Sequence, residues 1–160
     1  MPVIILHQPQ IPPNTGNAIR LAANCGFPLH LIRPLGFSLD EHAVRRSGMD
    51  YRELADLQVH DSLDACLTTL ADARLVLVST RGALPYHCFD FSEKDALLFG
   101  NEGAGLPDSV WCAHHDSPSI TIPMRGANRS LNLANAVAII AYDCWRQLGF
   151  PGAASSTGDK

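Results

Sequence analysis

The chain has 160 residues, 46% of them hydrophobic and 18% charged, with a formal net charge of −4. That length suits one domain with a sizeable core, and that charge excludes a global basic field of the kind that gathers nucleic acid. No apolar run reaches membrane-spanning length, and Met1–Leu6 carries no basic leader, so a cytoplasmic protein is expected.

Val3–Leu6 reads as a buried strand, followed by a stiff loop with Pro9, Pro12 and Pro13. Asn14-Thr15-Gly16-Asn17 opens a helix, with Asn14 or Thr15 as its cap and Gly26 as its end. Ala18, Leu21, Ala22 and Cys25 make the apolar face of that helix; Asn17, Arg20 and Asn24 make a polar one. Leu29–Ile32 is the second strand, and Ser38-Leu39-Asp40-Glu41 is a capping box for a short helix ending at Arg45-Arg46. Leu57–Val59 is a short strand, and Asp61 caps a helix over 62–70. Leu75–Val78 and Ala96–Phe99 are further buried strands. Pro107 sits at the first turn of a helix running to Cys112. Ile120–Ile122 is the last strand. Ser130 caps the longest helical pattern, in which Leu133, Val137, Ile140, Tyr142, Cys144, Trp145 and Leu148 recur at helical steps. Gly149 and Pro151 stop it, so the expected domain covers 1–153, with a frayed tail over 154–160.

Strands and helices alternate, and the strands are continuously apolar rather than alternating in polarity. That pattern predicts an α/β fold, a single-domain parallel sheet with helices on both faces. The five cysteines are odd in number and widely spaced, which predicts free thiols. Cys112, His114 and His115 lie close together without a second ligand cluster, so no metal is expected.

Three polar loops follow strands, over 14–20, 100–105 and 123–132, and in open parallel sheets ligands bind beyond the strands' carboxyl ends. Gly100, Gly103 and Gly105 fit neither G-x-G-x-x-G nor a P-loop, so neither a dinucleotide nor a nucleoside triphosphate site is indicated. Glycine there lets backbone approach a flat ligand. Glu102 is either an exposed turn residue or a ligand contact, and Arg20 either a solvated surface arginine or part of a site.

Asn14-Thr15-Gly16-Asn17 with Arg20, Phe99-Gly100-Asn101-Glu102-Gly103-Ala104-Gly105-Leu106-Pro107, and Ile122-Pro123-Met124 with Ser130-Leu131-Asn132-Leu133-Ala134-Asn135-Ala136-Val137 resemble the three motifs of SPOUT-class RNA 2′-O-ribose methyltransferases. The resemblance covers nearly the whole chain. His7-Gln8-Pro9 and Arg45-Arg46-Ser47-Gly48-Met49-Asp50-Tyr51 are most similar to the minimal branch that methylates the wobble cytidine or uridine of tRNA, leucine tRNAs among them. Pattern alone predicts an unknotted sheet; the resemblance implies a C-terminal trefoil knot, a homodimer, and S-adenosylmethionine as methyl donor, leaving as S-adenosylhomocysteine.

The resemblance also implies the site. The cofactor is expected at Val78, Ser79, Thr80, Gly100, Asn101, Glu102, Gly105, Ile122, Pro123, Met124, Ser130 and Leu131. Arg20 is expected to be catalytic, with Asn14, Glu102, Ser130 and Asn132 orienting or assisting. A guanidinium has a pKa above about 12, so Arg20 suits an activator of the hydroxyl better than a base; Glu102 is the better-titrating alternative. Ten of the twelve cations are arginine, and with a negative net charge RNA must be held by local ones: Arg20, Arg45, Arg46, Arg125 and Arg129. Rival readings are a SPOUT methyltransferase of another tRNA or ribosomal RNA nucleotide, a base methyltransferase, and a non-catalytic RNA-binding factor.

Overall fold

The computed structural model describes residues 1–38, 56–126 and 130–154, so Arg129 and the expected helix with Arg45 and Arg46 lie outside the described residues. Within them the apolar runs form strands: β1 (Val3–His7), β2 (Leu29–Ile32), β3 (Leu57–His60), β4 (Arg74–Val78), β5 (Leu84–Pro85), β6 (Asp95–Phe99) and β7 (Ser119–Thr121). The helices are α1 (Pro12–Cys25), α2 (Leu63–Thr69), α3 (Asp108–Ala113) and α4 (Leu133–Gln147), with a 3₁₀ turn at Tyr86–Cys88. The sheet order is β3-β2-β1-β6-β4-β7-β5, and every strand pair is parallel.

Every residue of β1 and of β6 is buried, and all but His7 and Asp95 are apolar, as packing on both faces favours. Alternate residues feed two cores. Ile4, Leu6, Leu29, Leu31, Val76, Leu97 and Phe99 pack on one side with Ala18, Ile19, Ala22 of α1 and Val137, Ile140, Cys144 of α4. Val3, Ile5, Ile32, Leu77, Ala96 and Leu98 pack on the other with Leu63 and Cys66 of α2 and Val110 of α3. Each Val, Leu, Ile or Phe side chain among them contributes roughly 1.5–3 kcal/mol on leaving water. Among the described residues the one fully buried carboxylate, Asp95, is held by Arg74 at 2.7 and 2.9 Å and by the Ser92 N–H at 2.9 Å. That bidentate pairing is what lets a charge sit there.

The helix starts differ from expectation. Helix α1 begins at Pro12, with Ile11 as its N-cap and no capping side chain of its own. Pro12 and Pro13 have no N–H, so two of the donors a cap would satisfy do not exist. Asn14 and Thr15 are instead buried inside the helix. Ser62, not Asp61, caps α2, its hydroxyl accepting from the Ala65 N–H at 3.1 Å. Asn132, not Ser130, caps α4. Ile19 of α1 is buried while Leu21 is only half-buried, and Tyr142 of α4 is 44% exposed. The pair β5 and its 3₁₀ turn are too short to register in any periodicity.

Strand β7 lies between β4 and β5, which are consecutive in the chain. The link over 79–83 therefore crosses β7. A Cβ on Gly82 would overlap the Ile120 carbonyl, so the crossing requires glycine at that point. Among the described residues no helix is long and apolar enough to cross a membrane.

Candidate active site

The register aligns Leu31, Leu6, Phe99, Val78 and Ile120 in one row across β2, β1, β6, β4 and β7. Polar loops leave the sheet at this row's carboxyl edge, where ligands of open parallel sheets bind. Three of them wall a cavity of about 470 Å³. Its lining includes Val78, Ser79 and Thr80 after β4, and Gly100, Asn101, Glu102 and Gly105 after β6. Ile122, Met124, Ser130 and Leu131 close it from the segment after β7. Of the residues expected to hold a cofactor, only Pro123, exposed between Ile122 and Met124, does not wall it. Side chains of successive residues in extended chain face opposite ways, which accounts for the exception.

The glycine loop is shaped by its own backbone. The Asn101 N–H donates to the Gly105 carbonyl at 3.2 Å, and the Gly105 N–H to the Asn101 carbonyl at 3.1 Å. Asn101 Oδ1 accepts from the Gly103 and Ala104 N–H groups at 3.0 and 2.7 Å, so this side chain builds the turn. Gly105 has φ +71°, and a Cβ on Gly100 would overlap the Gly105 carbonyl carbon and the Leu106 nitrogen. Gly100 is thus required by the loop itself, not only by an incoming ligand.

Glu102 ties this loop to α1. Its carboxylate accepts from the Gln10 N–H at 2.9 Å, the Ile11 N–H at 3.1 Å and Asn14 Nδ2 at 3.0 Å. A carboxylate from a distant loop thereby occupies the positive end of a helix that lacks its own cap. Asn132 Nδ2 donates to Asn14 Oδ1 at 2.8 Å, while Asn132 Oδ1 accepts from the Ala134 and Asn135 N–H groups at 2.9 and 3.3 Å. Glu102, Asn14 and Asn132 form one chain linking the glycine loop to the starts of α1 and α4.

Burial raises the Glu102 pKa, but the hydrogen bonds from Gln10, Asn14, its own N–H and Ile11 outweigh it, and the net position is below the ordinary carboxylate value. An ionised group already engaged by several donors is a poor proton acceptor. The contacts of Glu102 hold the glycine loop to the start of α1. Because its folded pKa is lowered, its contribution to stability is complete above the ordinary value of 4.5 and is lost as pH falls through the folded one. Glu102→Gln, which turns an NH₂ group toward these donors, is expected to cost about 1–3 kcal/mol at neutral pH. Urea unfolding of both proteins checks it: the gap is expected to narrow below pH 4.5.

Arg20 stands on the exposed face of α1 with Asn17 and Asn24, outside the cavity lining. Arg125 is exposed beyond Met124. Arg81, not singled out from the sequence, does wall the cavity; it pairs with Asp108 at 2.6 Å and lies 4.9 Å from the Trp111 ring centroid. Its signal was its place directly after Ser79-Thr80 at a strand end. Both members of the ion pair are exposed, so the pair orients Arg81 more than it stabilises the fold.

The chain's likenesses agree with this geometry. Residues 1–142 match the SpoU rRNA Methylase family. A tRNA (cytidine(34)-2′-O)-methyltransferase of Methylovorus glucosotrophus is 45% identical over 150 residues, covering 94% of this chain and 97% of its own. A structure described as giving insights into the 2-OH methylation of C/U34 on tRNA superposes with a TM-score of 0.84 at 47% identity, covering 93% of this chain and 97% of that one. The SpoU methyltransferase AviRb from Streptomyces viridochromogenes, in complex with the cofactor AdoMet, superposes with a TM-score of 0.76 at 30% identity, covering 92% of this chain and 57% of that one. With the family match running from β1 into α4 and the second and third motif loops walling one cavity with the segment after β4, the chain belongs to the SpoU rRNA Methylase family.

Proposed function

We propose that this protein transfers the methyl group of S-adenosylmethionine to the ribose 2′-hydroxyl of the wobble cytidine or uridine of tRNA. The observation that carries the reading is the cavity at the carboxyl edge of β4, β6 and β7, in a chain alike over nearly its full length to an enzyme named for that reaction. A volume of about 470 Å³ suits a nucleoside-sized ligand, and its walls mix apolar side chains with backbone polar groups. Backbone at Val78, Gly100, Ile122 and Leu131, with the Ser130 hydroxyl, would hold the cofactor. When bound, it supplies a methyl already activated on a sulfonium.

The protein's own work is then positioning and electrostatics. Arg20 activates the hydroxyl as a fixed cation and, with Arg125, contacts RNA phosphate. Glu102, Asn14 and Asn132 hold the start of α1, the helix that carries Arg20, against the glycine loop. Few local cations favour a small single-stranded target with a splayed nucleotide, which an anticodon loop offers. All five cysteines are free, as suits a protein of the cytoplasm. The crossing of 79–83 over β7 supports the trefoil knot implied by the motifs.

The test is incubation with labelled S-adenosylmethionine and tRNA from a strain lacking the protein, followed by mapping of the methylated nucleotide. Label on the ribose of nucleotide 34 is expected; label in a stem or only in ribosomal RNA would refute the target, and no label the activity.

The same reading includes a homodimer in which Arg20 of one subunit serves the cavity of the other. Ile11 at the start of α1, Leu131 just before α4, Tyr142 within α4 and Phe150 just after it are 45%, 38%, 44% and 41% exposed. Tyr142→Arg is expected to shift the protein toward monomer in light scattering and to lower activity in parallel. A fully active monomer would contradict it.

A further inference from the structure

A second constellation lies away from the cavity, at the sheet edge formed by β2 and β3. His30 stands on β2, on the face that carries Ile32 against α2. Cys66 projects from α2 with no exposed surface, and His30 is 2% exposed. His60, half-buried, ends β3. His30 Nδ1 lies 3.3 Å from Cys66 Sγ and 3.0 Å from His60 Nε2, and the three atoms all fall within 4.8 Å of one another.

Hydrogen bonding alone explains this poorly. One imidazole nitrogen offers either one proton or one lone pair, so it forms one well-directed hydrogen bond. Here it faces a thiol and a second imidazole together. Three atoms that can each present a lone pair to a common point are what a cation requires. An ion about 2.0 Å from nitrogen and about 2.3 Å from sulfur, with tetrahedral angles, sets neighbouring ligands roughly 3.3–3.5 Å apart. The two short separations approach that spacing. The two imidazole rings stack at 4.9 Å between centroids and 26° between planes, so binding requires one ring to turn; His60, on an edge strand and only half-buried, is the one placed to do so.

We propose that His30, His60 and Cys66 form a Zn²⁺ site whose fourth position is left to water. The ligand set selects the metal: thiolate and imidazole suit zinc, whereas magnesium and calcium take oxygen ligands. Binding forms a sulfur–zinc bond in place of the Cys66 S–H bond, the proton leaves to solvent, and no electron moves. Two neutral rings and one thiolate leave the site with a single positive charge. His60 gives the ion its route in from solvent. The site joins β2, β3 and α2, so its free energy of binding adds to that of folding. It neither depends on the methyl-transfer reading nor touches the cavity.

Chelator-stripped full-length protein titrated with Co²⁺, then with Zn²⁺, tests the site. One Co²⁺ per chain is expected, with a thiolate-to-cobalt charge-transfer band that Zn²⁺ removes. One proton should be released per ion, and Zn²⁺ should raise the melting temperature. Cys66→Ala should abolish the band, and His60→Ala should weaken zinc binding by about 100-fold or more, since even outer partners of a metal matter by 10–100-fold. Cys112→Ser with His115→Ala, in the separate surface cluster, should change neither. Absence of stoichiometric binding, a band that survives Cys66→Ala, or affinity unchanged in His60→Ala would each overturn the proposal. Should Cys66→Ala fail to fold, His60→Ala at its half-buried edge position decides alone.

Discussion

Replacing Arg20 by alanine is expected to lower methyl transfer by about 10²–10⁴-fold, the range for a positioned group that assists proton removal. Cofactor affinity should stay close to wild type, because Arg20 stands on the exposed face of α1 and does not wall the cavity. The fold should also be unaffected: the side chain is exposed, and alanine is a better helix former than arginine. Single-turnover rates with tRNA, set beside calorimetric titration with S-adenosylhomocysteine, separate the two effects. Arg20→Lys is the informative companion. It keeps the charge but loses the planar fork, so a partial rescue assigns the role to charge and no rescue assigns it to bidentate geometry. Loss of cofactor binding in Arg20→Ala would move the residue into the cofactor site and overturn the division of roles.

Gly100→Ala is expected to do the reverse, and more severely than one methyl group suggests. The new Cβ overlaps backbone atoms of Gly105 and Leu106, which cannot swing aside as a long side chain can. The turn held by the Asn101–Gly105 hydrogen bonds must open, and with it the loop that carries Glu102. Overpacking of this kind costs typically about 1–3 kcal/mol. Cofactor binding should fall below detection, since one wall of the cavity is rebuilt. Gly105→Ala is the control: nothing lies within 4 Å of its Cβ, and only the left-handed φ of +71° opposes it. Its expected cost is about 1–2 kcal/mol, with a measurable residual affinity. Denaturant unfolding and calorimetry on the two variants check the order. Equal effects would mean that the close approach of backbone at Gly100 costs no more than the left-handed φ at Gly105.

Much of this was legible in the chain. Val3–Leu6 of β1, Leu75–Val78 of β4 and Ala96–Phe99 of β6 are unbroken apolar runs, as strands packed on both faces are, and only His30 interrupts the run of β2. The polar face of α1 was equally plain, because Asn17, Arg20 and Asn24 are all exposed as their spacing implies. What escaped was decided by partners far away in sequence. Ser130 and Asn132 are both competent caps; Asn132 takes the role while its amide is held by Asn14, 118 residues earlier. Asn14 looks like a cap itself, but it is buried between Asn132 and Glu102. Glu102 reads locally as a turn residue, and its function at the start of α1 depends on a contact across 88–92 residues. The His30–His60–Cys66 cluster has no ligand spacing that a scan would find, because parallel pairing of β2 with β3 brings the two histidines together from 30 positions apart.

The place of β7 bears on how the chain is made. Strand β5 leaves the ribosome before β7, yet β7 is its partner in the sheet. Until residue 119 is synthesised, β4 has an open edge on that side and Leu84–Pro85 pairs with nothing. The nascent polypeptide must therefore keep a slot vacant between two segments that are already out, and fill it from the rear. An apolar edge held open in this way is a site for pairing with other chains. Release truncated anywhere between 100 and 118 would leave that slot permanently empty, and such products are expected to aggregate rather than accumulate as a smaller native form. Synthesis speed across 100–121 thereby becomes a variable in the yield of intact protein, one that no measurement on the finished molecule would reveal.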